Sequence, residues 1–214
     1  MLNTNIDNYI QLSSRSQTVK RIFDLICVVP GIMMLSPLFM LIALGIKISD
    51  RGPVLFKQER IGINGKPFTM LKFRTMVVGA EKLGAQLTVG NDKRITGIGG
   101  ILRKTKIDEF PQLFNVLFGE MTLVGPRPEV PRYVNQYTAE QKKVLELIPG
   151  ITDPASIEFR NENEILADAH NLDAVYIHEI MPEKIRLNLE YARNASLLSD
   201  IHIIFQTIYK IFFR

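Results

Sequence analysis

The chain's 214 residues suffice for one domain with appendages, and 46% hydrophobic with 22% charged residues supply a core and exclude global disorder. A formal net charge of +4 (pI ≈ 9.2) suits phosphate groups or anionic lipid, while aromatic residues, 8% and not interleaved with basic patches, argue against a nucleic-acid module. One cysteine, Cys27, and three scattered histidines exclude a disulfide-stapled secreted scaffold and a closed Cys/His zinc site.

Residues 1–18 are polar and read as a loosely held N-terminal arm. Residues 19–48 follow as a membrane segment, because positions 25–46, LICVVPGIMMLSPLFMLIALGI, carry no charge. A cleavable signal peptide does not fit: the run is too long for an h-region, begins late, and no small-x-small site follows. As a straight helix it reaches about 33 Å, enough to cross the hydrocarbon core. Two features oppose crossing. Pro30 and Pro37 each remove an amide hydrogen and predict a bend, with the Ser36 hydroxyl able to satisfy a freed carbonyl in the preceding turn. Basic residues flank both ends, Arg15, Lys20 and Arg21 before and Lys47, Arg51, Lys57 and Arg60 after, so the positive-inside rule asks both ends to stay cytoplasmic. A helix that enters, breaks at Ser36 and Pro37 and returns satisfies both conditions; a kinked single-pass helix is the alternative.

Residues 49–214 predict a cytosolic, membrane-associated domain. The runs VLFKQER and PFTMLKFRTM flank Asn64 and Gly65, a β-hairpin signal, and alternation in the second strand places Lys72 and Arg74 side by side on one face. Residues 79–97 are rich in Gly and Asn and predict a mobile loop. DEFPQLFNVLFG predicts a helix with Asp108 as N-cap, Pro111 in the first turn and Gly119 as the stop. Its apolar spacing is Phe110, Leu113, Phe114 and Leu117. In GPRPEVP three prolines stiffen a loop around Arg127. Helical patterns cover 138–147 and resume near Ala169, separated by a break at Pro149 and Gly150. The terminal stripe of Leu198, Ile201, Ile204, Phe205, Ile208 and Phe212, with Lys210 and Arg214 at the tip, fits either the membrane interface or packing on the domain. The expected class is therefore α+β, mostly helical: a re-entrant membrane helix-break-helix, then a small catalytic domain with a β-hairpin and interfacial amphipathic helices.

Chemistry concentrates at Asp108 and Glu109. At a helix amino end, free N–H groups and the dipole keep a carboxylate ionised and attract phosphates. Such an aspartate can attack phosphorus or hold a divalent cation. Arg103, Lys104, Lys106 and the Arg127 fork could neutralise an incoming phosphate. Each residue has a plainer role: Asp108 as a structural cap, Arg127 on a surface turn, Lys72 and Arg74 on a solvated strand face. Phosphate-binding loops, zinc-protease and nucleophile-elbow motifs are absent from the sequence, and His170 and His178 lack metal spacing.

The blocks KRIFDL, Ser36 with Pro37, KFRTM, LRKTKIDEFPQLFNVLFGEMTLVGPRP, PGIT and NASLLSDIHIIFQT, in this order over residues 19–212, resemble the bacterial sugar transferase family of small monotopic phosphoglycosyl transferases. The resemblance implies transfer of a sugar-1-phosphate from a UDP-sugar to polyprenyl (undecaprenyl) phosphate with release of UMP, the first membrane step of glycoconjugate assembly. It implies Mg2+, a covalent intermediate on Asp108 with Glu109 beside it, and Asp108 as a metal ligand. Phosphate binding falls to Arg103 and Arg127, with Lys72 and Arg160 as further candidates, and Ser36 and Pro37 form the membrane break. The expected location is the cytoplasmic face of a bacterial inner membrane, among its lipids; a homo-oligomer is left open. After PGIT the family usually continues Gly-Trp-Ala-Gln-Val-x-Gly-Arg. Here Asp153 to Phe159 depart from it while Ala155 and Arg160 align, so the sugar goes unnamed. Members also form the ends of longer proteins with several membrane helices, an extension this chain is expected to lack. The competing reading is a non-catalytic, membrane-tethered interaction protein.

Overall fold

The computed structural model describes residues 14–80, 92–167 and 171–213. Helix α1 (Ser14–Asp50) begins within the expected polar arm, so residues 14–18 are helical, while 1–13 lie outside the described residues. Helix α1 spans both Pro30 and Pro37 without a non-helical residue between two arms, so the backbone is one helix where two separated by a break were expected. The reason is local. Pro37 frees the Met33 carbonyl, and the Ser36 hydroxyl donates to that same oxygen at 2.9 Å. By length and composition α1 could cross a membrane, and Met33, Met34, Met40 and Leu41 on it are exposed.

Strands β1 (Leu55–Ile61) and β2 (Pro67–Phe73) pair antiparallel from Leu55 with Phe73 to Ile61 with Pro67. Their turn holds Asn64 (φ 56°) and Gly65 (φ 72°), the left-handed pair that the Asn-Gly signal predicts. Next come α2 (Gly97–Lys104), a 3-10 turn (Ile107–Glu109), α3 (Gln112–Phe118) and β3 (Thr122–Val124). After α4 (Pro131–Val134), the expected helix over 138–147 is a 3-10 segment (Gln141–Glu146), followed by extended backbone at Leu147 ahead of Pro149. Strand β4 (Gly150–Thr152) lies parallel to β3. Helices α5 (Pro154–Glu158), α6 (Glu162–Ala167), α7 (Leu172–Val175), α8 (Met181–Arg193) and α9 (Leu197–Phe212) complete the chain. The expected mobile loop falls mostly on 81–91, and Ala169 and His170 on 168–170, all outside the described residues.

Three apolar clusters form the core. Tyr133, Tyr176, Ile180 and Met181 centre the largest; Val28, Met70, Val116 and Met121 form the second; Ile42, Ile46, Phe73 and Leu102 form the third. Helix α1 thus contributes to two of them, Val28 from its first half and Ile42 and Ile46 from its second. Polar clamps fix its ends to the same globular part. Lys20 pairs with Asp200, Arg21 donates to the Val116 and Leu117 carbonyls that end α3, and Asp24 accepts from Thr122 Oγ1 at 2.6 Å and Leu123 N at 3.2 Å. Beyond the second half, Asp50 pairs with Arg74. In α3 the expected apolar face is only part of the buried one, since Gln112, Asn115 and Val116 are its buried residues. Asn115 mimics a strand neighbour to β2: its Oδ1 accepts from Leu71 N at 3.0 Å and its Nδ2 donates to the Thr69 carbonyl at 2.8 Å.

Candidate active site

Asp108 does not cap a helix. Lys106, at φ 59°, turns the chain through the left-handed region, and Asp108 occupies a single 3-10 turn whose preceding residue makes no side-chain cap bond. Helix α3 starts after Pro111, which takes the cap position, and ends as expected at Gly119 (φ 84°). The expectation that backbone N–H groups keep Asp108 ionised is therefore corrected. Burial, then the neighbouring Glu109 charge, push its carboxyl above the usual aspartate range, while Lys72, Lys106 and Arg103 pull it back.

Glu109 has the opposite environment. Arg127 grips it with two nitrogens, Nη1 at 3.0 Å from Oε2 and Nη2 on Oε1, while Lys72 Nζ lies 3.0 Å from Oε1. Burial alone would raise its pKa, but the charges of Arg127 and Lys72 hold it well below the glutamate range. Lys72 is itself pulled down, by burial. The expected pairing of Lys72 with Arg74 on a solvated face does not form: both are largely buried, and Arg74 turns to Asp50.

Asp108 keeps an oxygen in reserve. It is 8% exposed, and its buried Oδ1 has no hydrogen-bond partner. One helical turn later, the fully buried Gln112 leaves both Oε1 and Nε2 unpartnered. Arg103, at the end of α2, donates from Nε to Thr75 Oγ1 at 2.8 Å, and its charge bears on Asp108. Gly99 permits this approach, since a Cβ there would lie 2.0 Å from the Thr75 carbonyl oxygen.

A cleft of about 890 Å³ opens beside the dyad. Its polar lining includes Glu109, Arg127, Arg160, Lys104 and Lys106, so Arg127 and Arg160 share one cleft. Asp108, Lys72 and Arg103 are not among its lining residues. Ser36 and Pro37 are exposed on α1 and do not line it, although the preceding Leu35 does. Sequence reasoning missed Arg60, read only as a membrane flank. It lines the cleft, donates to the Pro128 carbonyl at 2.9 Å and faces Glu129, which also accepts from the Tyr176 hydroxyl. Arg60 ends the predicted first strand, and the hairpin register carries it towards the Arg127 loop.

The departure at Asp153 has a structural role. This fully buried carboxylate accepts from Arg127 N at 3.1 Å, Ser156 N at 2.8 Å and Ser156 Oγ at 2.8 Å, capping α5 and holding the loop that carries the Arg127 guanidinium. Gly125 and Gly150 let the two loops meet: a Cβ on Gly150 would lie 2.1 Å from Gly125 N.

Mg2+ was expected. The described residues contain no cluster of three or more His, Cys, Asp or Glu arranged for a metal. Mg2+, however, commonly uses one or two carboxylates with substrate phosphates and water, and Asp108 Oδ1 is an uncommitted hard oxygen donor next to Glu109 of the cleft lining. Glu109 is committed to Arg127 and Lys72. Asp108 thus offers one uncommitted oxygen, and Mg2+ held there would take its remaining ligands from substrate phosphates and water.

The bacterial sugar transferase family model matches residues 15–214, and the chain belongs to that family. It is 37% identical over 204 residues to the UDP-glucose:undecaprenyl-phosphate glucose-1-phosphate transferase of Escherichia coli (strain K12), covering 93% of this chain and 41% of the relative. Similarity to the UDP-N-acetylgalactosamine-undecaprenyl-phosphate N-acetylgalactosaminephosphotransferase of Aeromonas hydrophila is 37% identity over 193 residues, 89% of this chain and 43% of the relative. The exopolysaccharide production protein ExoY of Sinorhizobium fredii is 34% identical over 204 residues, 88% of this chain and 83% of that protein. The chain thus spans about two fifths of the length of the first two relatives, and their names carry different sugars at equal identity.

Proposed function

We propose that the chain is a UDP-sugar:polyprenyl-phosphate sugar-1-phosphate transferase, with undecaprenyl phosphate as acceptor and polysaccharide or other glycoconjugate synthesis as its purpose. The observation that carries the reading is the unpartnered Asp108 oxygen next to Glu109, which lines a cleft with Arg127, Arg160, Lys104 and Lys106. The tether reading needed Asp108 as a cap, and that cap bond is missing.

Lys104, Lys106, Arg127 and Arg160 draw the donor diphosphate into the cleft. In this reading the 107–109 turn has to shift to carry the buried Asp108 Oδ1 into the cleft beside Glu109, where it attacks the sugar-bearing phosphorus. The bond from that phosphorus to the bridging oxygen breaks, and UMP leaves with the oxygen and its electron pair. An acceptor phosphate oxygen then attacks the aspartyl phosphosugar, releasing the Asp108 carboxylate and the lipid diphosphate sugar. Asp108 is the residue that would hold Mg2+, which when bound would neutralise developing charge on phosphate oxygens. Glu109 keeps Arg127 and Lys72 charged and in place beside Asp108 rather than entering the covalent chemistry.

In this reading α1 is re-entrant and both of its ends lie on the cytoplasmic face of the inner membrane. Support comes from the clamps that tie Lys20, Arg21 and Asp24 at one end and Asp50 at the other to a single globular part. Accessibility labelling at positions 10 and 60 tests it: labels on the same side are expected, and opposite sides overturn the topology.

The activity is tested by incubating the protein with Mg2+, undecaprenyl phosphate and a panel of UDP-sugars, scoring UMP and the intact mass of the protein. UMP release with a phosphosugar adduct on Asp108 is expected. Absence of UMP and of lipid-linked sugar from every donor overturns the proposal.

A further inference from the structure

The loop that carries Arg127 lies on a second, much smaller cavity of about 40 Å³, away from the dyad. Three elements that meet there hold the loop with bonds already made. At the end of β1, Ile61 N donates to the Glu129 carbonyl at 2.9 Å and Arg60 donates to the Pro128 carbonyl. From the segment between α7 and α8, the Tyr176 hydroxyl donates to the Glu129 carboxylate. At the start of α5, Asp153 accepts from Arg127 N at 3.1 Å. The fourth element is α8, which packs on α5 and lines the cavity with its three buried residues, Met181, Ile185 and Asn188. Their i, i+4, i+7 spacing is that of a core stripe, so Asn188 puts an amide where a helix ordinarily puts an apolar side chain.

Asn188 is 5% exposed, and its buried Oδ1 has no hydrogen-bond partner; among the described residues it is the one side chain lining this cavity with such an atom. Leaving a buried amide oxygen unpaired costs about 1–3 kcal/mol, a cost that leucine in the same stripe would not carry. Asp153 lines the same cavity with accepting capacity to spare. Its Oδ2 accepts from Arg127 N and Ser156 Oγ and its Oδ1 from Ser156 N alone, whereas an ionised carboxylate offers roughly four lone-pair sites. Its charge bears on the Tyr191 hydroxyl, one turn beyond Asn188, so the carboxylate is within reach of α8. Two acceptors cannot bond each other. A water bonds both through its two O–H groups, and the cavity exceeds the roughly 10–15 Å³ that one water needs.

We infer that Asn188 is a positioning residue: through a water shared with Asp153 it keeps that carboxylate on Arg127 N, and so fixes the guanidinium that grips Glu109 beside Asp108. The inference rests on the transferase reading only for its effect on turnover. Charge decides which residue can stand at 188. An aspartate there would put a second carboxylate on the same small cavity, and two like charges at one site oppose each other's ionisation. The amide at 188 therefore goes with the carboxylate at 153, and exchanging the two keeps one charge and one amide on the cavity.

Amide hydrogen exchange on the full chain in dodecyl maltoside micelles reads the positioning without any substrate. Asn188→Leu is expected to speed exchange of the Arg127 amide about tenfold and to leave the Leu71 amide, bonded to Asn115 Oδ1, unchanged. No acceleration at Arg127, or equal acceleration at both amides, overturns the inference. In turnover assays Asn188→Leu should lower kcat about tenfold with the donor KM within about twofold of the parent, and Asn188→Asp should lower kcat about a hundredfold. Combining Asn188→Asp with Asp153→Asn should return kcat to within about threefold of the parent. A combined variant no better than Asn188→Asp alone shows positions 153 and 188 to be uncoupled and overturns the inference. Absence of turnover by the parent with every donor removes the transferase reading, while the exchange result still decides for or against Asn188.

Discussion

At the start of α1, Asp24 is buried and both of its oxygens are hydrogen-bonded, to Thr122 and Leu123, with Lys20 nearby on Asp200. In the 107–109 turn, Asp108 is also buried, beside cations, yet its Oδ1 is bonded to nothing. Glu109, one residue on, belongs with Asp24 in this respect, since two cations satisfy it. A buried carboxylate whose partners are complete is holding elements together. One left incomplete next to cations costs the fold desolvation without return, and is available for a bond the protein does not make with itself. The contrast separates the residue proposed to react from residues that assemble the site.

Asp108→Asn should break the contrast most sharply. Turnover is expected to fall at least about 10³-fold, with a melting temperature no lower than that of the parent, because no native hydrogen bond to Oδ1 is lost. Since burial and Glu109 raise the Asp108 pKa, adduct formation in single turnover should rise with pH through a value above the ordinary aspartate range. Lys72→Met, which removes a charge that lowers it, should shift that limb further up.

Glu109→Gln is expected to destabilise the protein by roughly 3–5 kcal/mol, measured by denaturant unfolding, because Arg127 and Lys72 lose their shared counter-charge. The folded pKa of Glu109 lies below its unfolded value, so its stabilisation is complete above the unfolded pKa of about 4.3 and fades as pH falls towards the folded one. The variant should lack this slope.

Asp24→Asn is predicted to cost about 1–3 kcal/mol of stability while adduct formation per folded molecule stays unchanged, which single-turnover mass measurement checks. Asp153→Gly, placing the usual family residue, should lose about 1 kcal/mol with the α5 cap and lower kcat by loosening the Arg127 loop, with donor KM little changed. At the small end, Lys106→Gly should stabilise the fold by about 1 kcal/mol, since glycine accepts φ 59° without strain, a gain visible as a raised denaturation midpoint.

Much of the local architecture was legible in the residues. Asn64 and Gly65 produce the turn they announce because positive φ is a property of those two residues and their neighbours, and Gly119 ends α3 for the same reason. Ser36 supplies the bond that Pro37 makes necessary, though its effect is to keep the helix continuous. The burial of polar faces was not legible. Asn115 and Gln112 interrupt the apolar spacing of α3, yet they are among its most buried residues, and β2 lies against Asn115. Lys72 was singled out as an exposed cation and proves to be the buried partner of Glu109; Arg60 was passed over although it lines the same cleft.

By itself the amino-acid order determined the apolar helix, the hairpin, the stiff Arg127 loop and the family, since each is written in short runs whose physics is settled by adjacent residues. Only the tertiary structure decided that Asp108 and Glu109, neighbours in the chain, have opposite electrostatic fates. Their fields come from Lys72, Arg103 and Arg127, on segments that meet only after the hairpin, α2 and the β3 loop have packed, and a Coulomb interaction depends on distance through space and burial, not on separation along the chain.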